Sequence, residues 1–375
     1  MKSTSLVRLF AALSFLAIIL ALANQLKLRN SDSGPIKNPV TTTKMPPHTT
    51  PPLFTDSIKT GPLDVGAVAE YKNLRIYILK GNAANARTYT TLQNALQHKL
   101  VQVRETGEVN ELKIDNLSAS YVYINSGDIV KGGKQDRTIQ YDVIIAPYQH
   151  NIDLASFCVE SGRWTQRNNE NVTQFTESNK SLSSKELKIA AKYSKDQGEV
   201  WSKVEKYQAK ANEAIKKESG DSLAEVRSPV SGSSLELTLD DAHIRQSTAN
   251  YKDQLASKLK NIKDAVGMAV SINGKLYSVE IFNNHQLFTD LFDKLLDASI
   301  AEAVSESNSA LQSSNLAVEK VILAPAKVYE DSNINNVTRF QLAEPDGFPQ
   351  LAIFTTIDSE VKTWLHRNWL DKKVE

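Results

Sequence analysis

A single cysteine, Cys158, stands among 375 residues, so this chain can build neither an intramolecular disulfide framework nor a Cys-cluster zinc or iron–sulfur site. An excess of one charge is also missing, because 44 Lys and Arg against 43 Asp and Glu leave +1. That balance removes the whole-chain electrostatic footprint of a nucleic-acid binder, and no nucleic-acid partner is expected. The six histidines, His48, His98, His150, His243, His285 and His366, include no i, i+4 pair. No local metal motif follows, and no metal is assigned. A Gly-x-Gly-x-x-Gly fingerprint, a Walker A loop and a Gly-x-Ser-x-Gly elbow are all absent, and no cofactor is specified. General disorder is excluded by the 41% hydrophobic share.

What is present begins with an address. Lys2 and Arg8 precede an uncharged stretch from Leu9 to Ala23 that ends in Ala21-Leu22-Ala23, the pattern of a secretory signal with cleavage after Ala23. Residues 1–23 are therefore a signal peptide or, if uncleaved, an N-terminal anchor whose apolar residues 9–23 enter the cytoplasmic membrane with the basic end inside. Either way the remainder is extracytoplasmic, secreted or periplasmic, and membrane contact is confined to this segment. Seven of the twelve prolines lie between Pro35 and Pro62. Residues 24–63 thus read as an extended Pro/Thr-rich linker, since proline fixes φ and removes a backbone donor.

From Asp64 to Glu375 the pattern is that of one large α+β domain. Short alternating runs predict strands over 74–79, 100–103, 111–114, 120–125, 138–146 and 152–160, with a short helix at 91–97. No helices of 10 to 15 residues alternate with them, so the sheets are expected to be largely antiparallel. Residues 165–184 are polar, and 184–215 carry apolar side chains at helical spacing, predicting a long amphipathic helix with a bend at Gly198. A helix near 251–260 precedes a hairpin over 267–277, where Asn273-Gly274 suits a type I′ turn. Leu287, Leu291, Leu295, Ala298 and Val304 mark a second, covering helix. Strands at 318–323, 338–342 and 349–356 follow, and Trp364, Arg367 and Trp369 are assigned to packing or capping a final helix.

Two clusters concentrate the chemistry. Gly132-Gly133-Lys134-Gln135-Asp136-Arg137 combines paired glycines, which allow a tight turn and close backbone approach, with donors suited to an anionic ligand. Gly132, Gly133, Lys134, Gln135, Arg137 and Arg163 are the candidate ligand-binding residues. About 20 residues later comes Cys158-Val159-Glu160-Ser161-Gly162-Arg163-Trp164. If the residues between form paired strands, the sheet brings the clusters together. Alternation places Cys158 and Glu160 on one strand face, and either is a candidate nucleophile or base if nearby arginines tune it. A buried structural cysteine beside a Glu–Arg ion pair is the alternative.

These clusters resemble those of the ARG and Rhodanese-Phosphatase-superfamily-associated protein domain family, which has no established biochemical activity. Tyr71-Lys72-Asn73-Leu74, Tyr89 to Leu96 and the stretch Gly274 to Ala303 support the resemblance, which runs from Val68 to Phe354. Asp136 stands where the family pattern leads one to expect Asn. The family name implies a link to ADP-ribosylglycohydrolase and phosphatase-like modules, and so to ADP-ribose or related nucleotide chemistry. Two functions are carried forward: a cell-envelope binding or interaction module, whose partner is an anionic small molecule or an envelope protein, and a hydrolase or transferase using Cys158 or Glu160.

Overall fold

The computed structural model describes residues 63–182, 184–259, 262–306 and 318–373. The proposed signal or anchor and the linker up to residue 62 lie outside the described residues. Seventeen strands and seven α-helices are described, and every strand pair but one is antiparallel; β3 (Tyr89–Thr91) and β6 (Tyr121–Ile124) run parallel. The α+β, largely antiparallel architecture is as expected. No helix among the described residues is long and apolar enough to cross a membrane.

Six strands close into a barrel in the order β10 (Ile152–Cys158), β5 (Glu111–Asn116), β4 (Val101–Glu105), β11 (Gln174–Ser181), β7 (Asp128–Gly132) and β8 (Arg137–Ile139). Period-two alternation builds it: Leu112, Ile114 and Asn116 of β5 are buried while Glu111, Lys113 and Asp115 are partly exposed. Val103, Leu112, Ile114, Val130, Ile139 and Leu154 share one apolar cluster, in which each fully buried aliphatic side chain contributes about 1.5–3 kcal/mol. A three-stranded sheet, β3–β6–β9 (Val143–Ile145), adds Val122, Ile124, Val143 and Ile145 to that cluster, and α1 (Leu92–Gln97) adds Leu92 and Ala95.

The larger sheet has eight strands. Its order is β1 (Asp64–Tyr71), β2 (Leu74–Lys80), β12 (Ala265–Ile272), β13 (Lys275–Phe282), β17 (Thr363–Asp371), β16 (Leu351–Asp358), β15 (Thr338–Pro345) and β14 (Ala326–Asn333). The covering helix forms as expected and is α6 (His285–Ser305), capped by the Asn284 side chain, which accepts from Leu287 N. It packs on β12 and against α3 (Gln197–Ser219) and α5 (Ala242–Leu259), and α5 packs in turn on β1. The β12–β13 hairpin turns at Asn273 and Gly274 with φ of 51° and 75°, as the type I′ signal requires.

Several expectations are corrected. The helix expected over 184–215 is divided into α2 (Lys185–Ile189), a π-helical turn (Ala190–Ser194) and α3. The break falls at Lys195, which is left-handed with φ 56°, and the Asp196 side chain then caps α3 by accepting from Glu199 N at 2.7 Å. Gly198 lies inside the first turn of α3. The run Val318 to Leu323 is the helix α7, not a strand: Val318, Val321 and Ile322 are buried and Glu319 and Lys320 exposed, a 3.6-residue period. The expected final helix is strand β17, hydrogen-bonded to β13 and β16. The run expected as one strand over 138–146 divides between the barrel, as β8, and the small sheet, as β9.

Candidate functional site

The barrel brings the two sequence clusters together. In the β8–β10 ladder Cys158 pairs with Arg137, Phe157 with Thr138 and Ser156 with Ile139. The β7–β8 turn is made by Gly132 and Gly133, with φ of 120° and 56°. A Cβ on Gly132 would stand 2.9 Å from the Gln174 carbonyl oxygen, and one on Gly133 would stand 2.8 Å from Glu105 Oε2 and run into the Phe175 ring. Both glycines therefore serve the close approach of β11 and of the end of β4.

Arg137 is fully buried. Its Nη1 donates to the Cys158 sulfur and, at 3.5 Å, to Gln135 Oε1; its Nη2 lies 3.3 Å from Glu105 Oε1. The Gln197 side chain brackets the cysteine backbone, accepting from Cys158 N at 2.8 Å and donating to Cys158 O at 2.9 Å. Burial pushes the Cys158 thiol up to about 11, against the pull of Arg137 and with Glu105 and Glu160 adding to the rise. At neutral pH it is a protonated, enclosed thiol.

A second knot lies beside it. Arg167 donates to Asp136 through Nη1 at 2.8 Å and Nη2 at 3.1 Å, and binds Glu170 Oε1 at 2.7 Å. Ser234 Oγ donates to Asp136 Oδ2 at 3.2 Å while also capping α4 (Leu235–Leu239). Arg163 Nη2 stands 2.6 Å from Glu160 Oε2, and Arg163 Nη1 donates to Thr165 O. Burial opposes charge on Glu160, yet hydrogen bonds from Arg163 and Ser231 and the charges of Arg163 and Arg167 outweigh it and hold the carboxyl below its ordinary range. For Asp136 burial wins over Arg167, helped by Glu160, and raises it to about 6. Arg137, Arg163 and Arg167 thus all meet carboxylates. Of the predicted ligand-binding side chains only Arg163, at 10%, and Lys134 are partly exposed, and Lys134 Nζ lies 5.9 Å from the ring of Trp164, itself 50% exposed.

A groove of about 410 Å³ opens next to this knot. Its wall includes Ser161, Ser233, Trp201, Gln208 and Arg227. The Trp201 Nε1–H is buried without an acceptor, and exposed Arg227 has no acidic partner within 4 Å among the described residues. Of these only Ser161 falls within the sequence clusters; Arg167, Trp201, Gln208, Arg227 and Ser233 are not singled out as site residues by the sequence. Arg167 lies in the polar run 165–184, where composition hides a single buried arginine.

The sequence also conceals a buried ionic centre. His366 of β17 stands between Asp142 (Nδ1 to Oδ2, 2.7 Å) and Glu280 (Nε2 to Oε2, 2.8 Å), stacked on Phe282 at 4.0 Å. Burial opposes the imidazolium, but the two carboxylates win and raise the His366 pKa. Lys192, from the π-helical turn, donates to Asn368 Oδ1 at 2.8 Å. All of these groups are enclosed, so the centre ties elements together. No group of three or more His, Cys, Asp or Glu among the described residues is arranged to hold a metal ion.

A closed antiparallel barrel abutting an eight-stranded sheet, with an arginine–carboxylate knot where two glycine-bearing motifs meet, defines an α+β domain of barrel-and-sheet type. The chain belongs to the ARG and Rhodanese-Phosphatase-superfamily-associated Protein domain family, whose model matches residues 62–346. No curated protein and no solved structure matches the chain.

Proposed function

We propose that this protein is an exported or membrane-anchored binding module of the cell envelope that takes a small anionic ligand, or the anionic group of an envelope protein, in the groove beside Ser161. The observation that carries the reading is the division of charge. The motif arginines Arg137 and Arg163, and Arg167 beside them, pair with internal carboxylates, whereas exposed Arg227 lines a concave, serine-bearing groove, shared with Glu205, and has no acidic partner within 4 Å among the described residues. Concave sites with a few convergent polar groups are the usual form of ligand pockets. Hydroxyls of Ser161 and Ser233 supply further donors once a ligand competes for them. Lys134 and Trp164 offer a second contact edge for a larger ligand. The hydrolase or transferase reading needs a thiolate at Cys158 or a proton-accepting Glu160. The first is buried and protonated, and the second is held ionised by two arginines.

The groove assignment is tested by a thermal-shift panel of inorganic phosphate, ADP-ribose, nucleotides, sugar phosphates and peptidoglycan fragments. At least one anionic member is expected to raise the Tm of the wild type and not of Arg227→Ala, because only ligands that prefer the folded state stabilise it. Export is read from residues 1–23, and its test is the mass of the mature chain in a cell fraction. A chain beginning at Asn24 outside the cytoplasm marks cleavage, and a full-length chain in the membrane marks the anchor. Full-length protein in the cytosol contradicts both.

A further inference from the structure

We propose that the cleft between β11, α5 and α6 is a separate binding site for a small anionic amphiphile, a phosphate or carboxylate head on a short apolar body. The cleft measures about 260 Å³, below the roughly 300–1,000 Å³ of drug-sized pockets, so its occupant is small. It shares no lining residue with the groove at Ser161.

Helix geometry makes the cleft. On α5, Ile244, Thr248 and Lys252 are spaced by four residues and share a face, with Arg245 and Ala249 beside them. On α6, Lys294, Ala298 and Ala301, at spacings of four and three, likewise share a face. Ala249, Ala298 and Ala301 are too short to fill the space between the helices. Leu239, Ile244 and Ala298 supply buried apolar lining.

Around that apolar lining stand four cations, Lys180, Arg245, Lys252 and Lys294, against one acidic lining residue, Asp297. Two of the cations are committed: Lys252 lies 2.6 Å from Asp297, and Lys294 lies 2.8 Å from Asp128. The other two share a single carboxylate. Asp240, 49% exposed in its side chain, stands 3.8 Å from Lys180 and 3.4 Å from Arg245. Such loose, exposed pairs contribute little. A ligand anion between Lys180 and Arg245 therefore gains two cations while displacing only a weak, water-screened contact, and the low-dielectric lining beneath strengthens that attraction. An apolar body continues onto Ile244 and Ala298.

Titration calorimetry of the full chain with hexyl phosphate, hexanoate, inorganic phosphate and hexanol tests this. Hexyl phosphate or hexanoate is expected to bind, which of the two binds more tightly identifies the head group, and inorganic phosphate and hexanol are expected to bind at least about tenfold more weakly than the better of them. Arg245→Ala, an exposed change that leaves the fold intact, is expected to weaken the better ligand about tenfold, in keeping with loss of a charged hydrogen bond. Asp240→Asn is expected to tighten it about threefold by removing the competing carboxylate. Failure of both amphiphiles to bind, binding unaffected by Arg245→Ala, or hexanol binding as tightly as hexyl phosphate would each overturn the proposal.

Discussion

Cys158 and Asp136 show how burial decides what a side chain in the motifs can do. The thiol touches a guanidinium, which on its own favours thiolate, yet its enclosure raises it to about 11. The expected outcome is that iodoacetamide labels the native protein at pH 8 far more slowly than the urea-unfolded protein, with intact mass as the readout. Labelling at comparable rates would mean an open, reactive thiol. Asp136 is raised to about 6 from an ordinary 3.8. Between about pH 4 and 6 the folded chain therefore keeps a proton that the unfolded chain has lost, and this group's contribution to stability falls as pH rises through that window. Comparing wild type with Asp136→Asn, the Tm difference should shift in favour of the variant as pH rises from 4 to 6 and level off above. A difference that is flat across the window would place the titration elsewhere.

Strands and helices differ in how far local sequence specified them. Asn273-Gly274 needs only its own two residues to dictate a turn, and α6 carries apolar positions over five turns, so both are legible. Short apolar runs are not. Val318 to Leu323 has the composition of a strand and the burial period of a helix, and only its packing separates the two. β17 reads like a cap for a helix because Trp, His and Arg dominate it, yet it lies between β13 and β16, where both its faces are buried. The meeting of Cys158 with Arg137 is legible from strand spacing; the arrival of Arg167, Gln197 and Ser234 is not, since each comes from a different element and depends on tertiary approach. At this scale the β7–β8 turn is the sensitive point. Gly132→Ala combines φ of 120° with a Cβ crowded by Gln174 O, and is expected to cost about 1–3 kcal/mol in urea unfolding. A loss under about 0.5 kcal/mol would mean that β11 does not approach the turn this closely.

Across the whole molecule, the two motifs lock a barrel, and on the proposed reading ligand recognition falls to the groove beside them. Arg137 ties β8 to Glu105 at the end of β4, Arg167 ties the turn to α4 through Asp136 and Ser234, and Gln197 ties β10 to α3. Their burial explains why residues that look like a polar pocket in sequence face inward in the fold. The knot sets the position of Ser161 and Ser233, whose backbone and side chain are themselves hydrogen-bonded, on the groove wall. The measurement that tests this most directly is the paired thermal shift of wild type and Arg227→Ala against the anionic panel. The predicted result is a ligand-induced rise in Tm for the wild type that disappears in Arg227→Ala, with the unliganded Tm of the two equal. A rise that survives in Arg227→Ala, while Lys134→Ala removes it, would put the ligand on the motif face and contradict the groove.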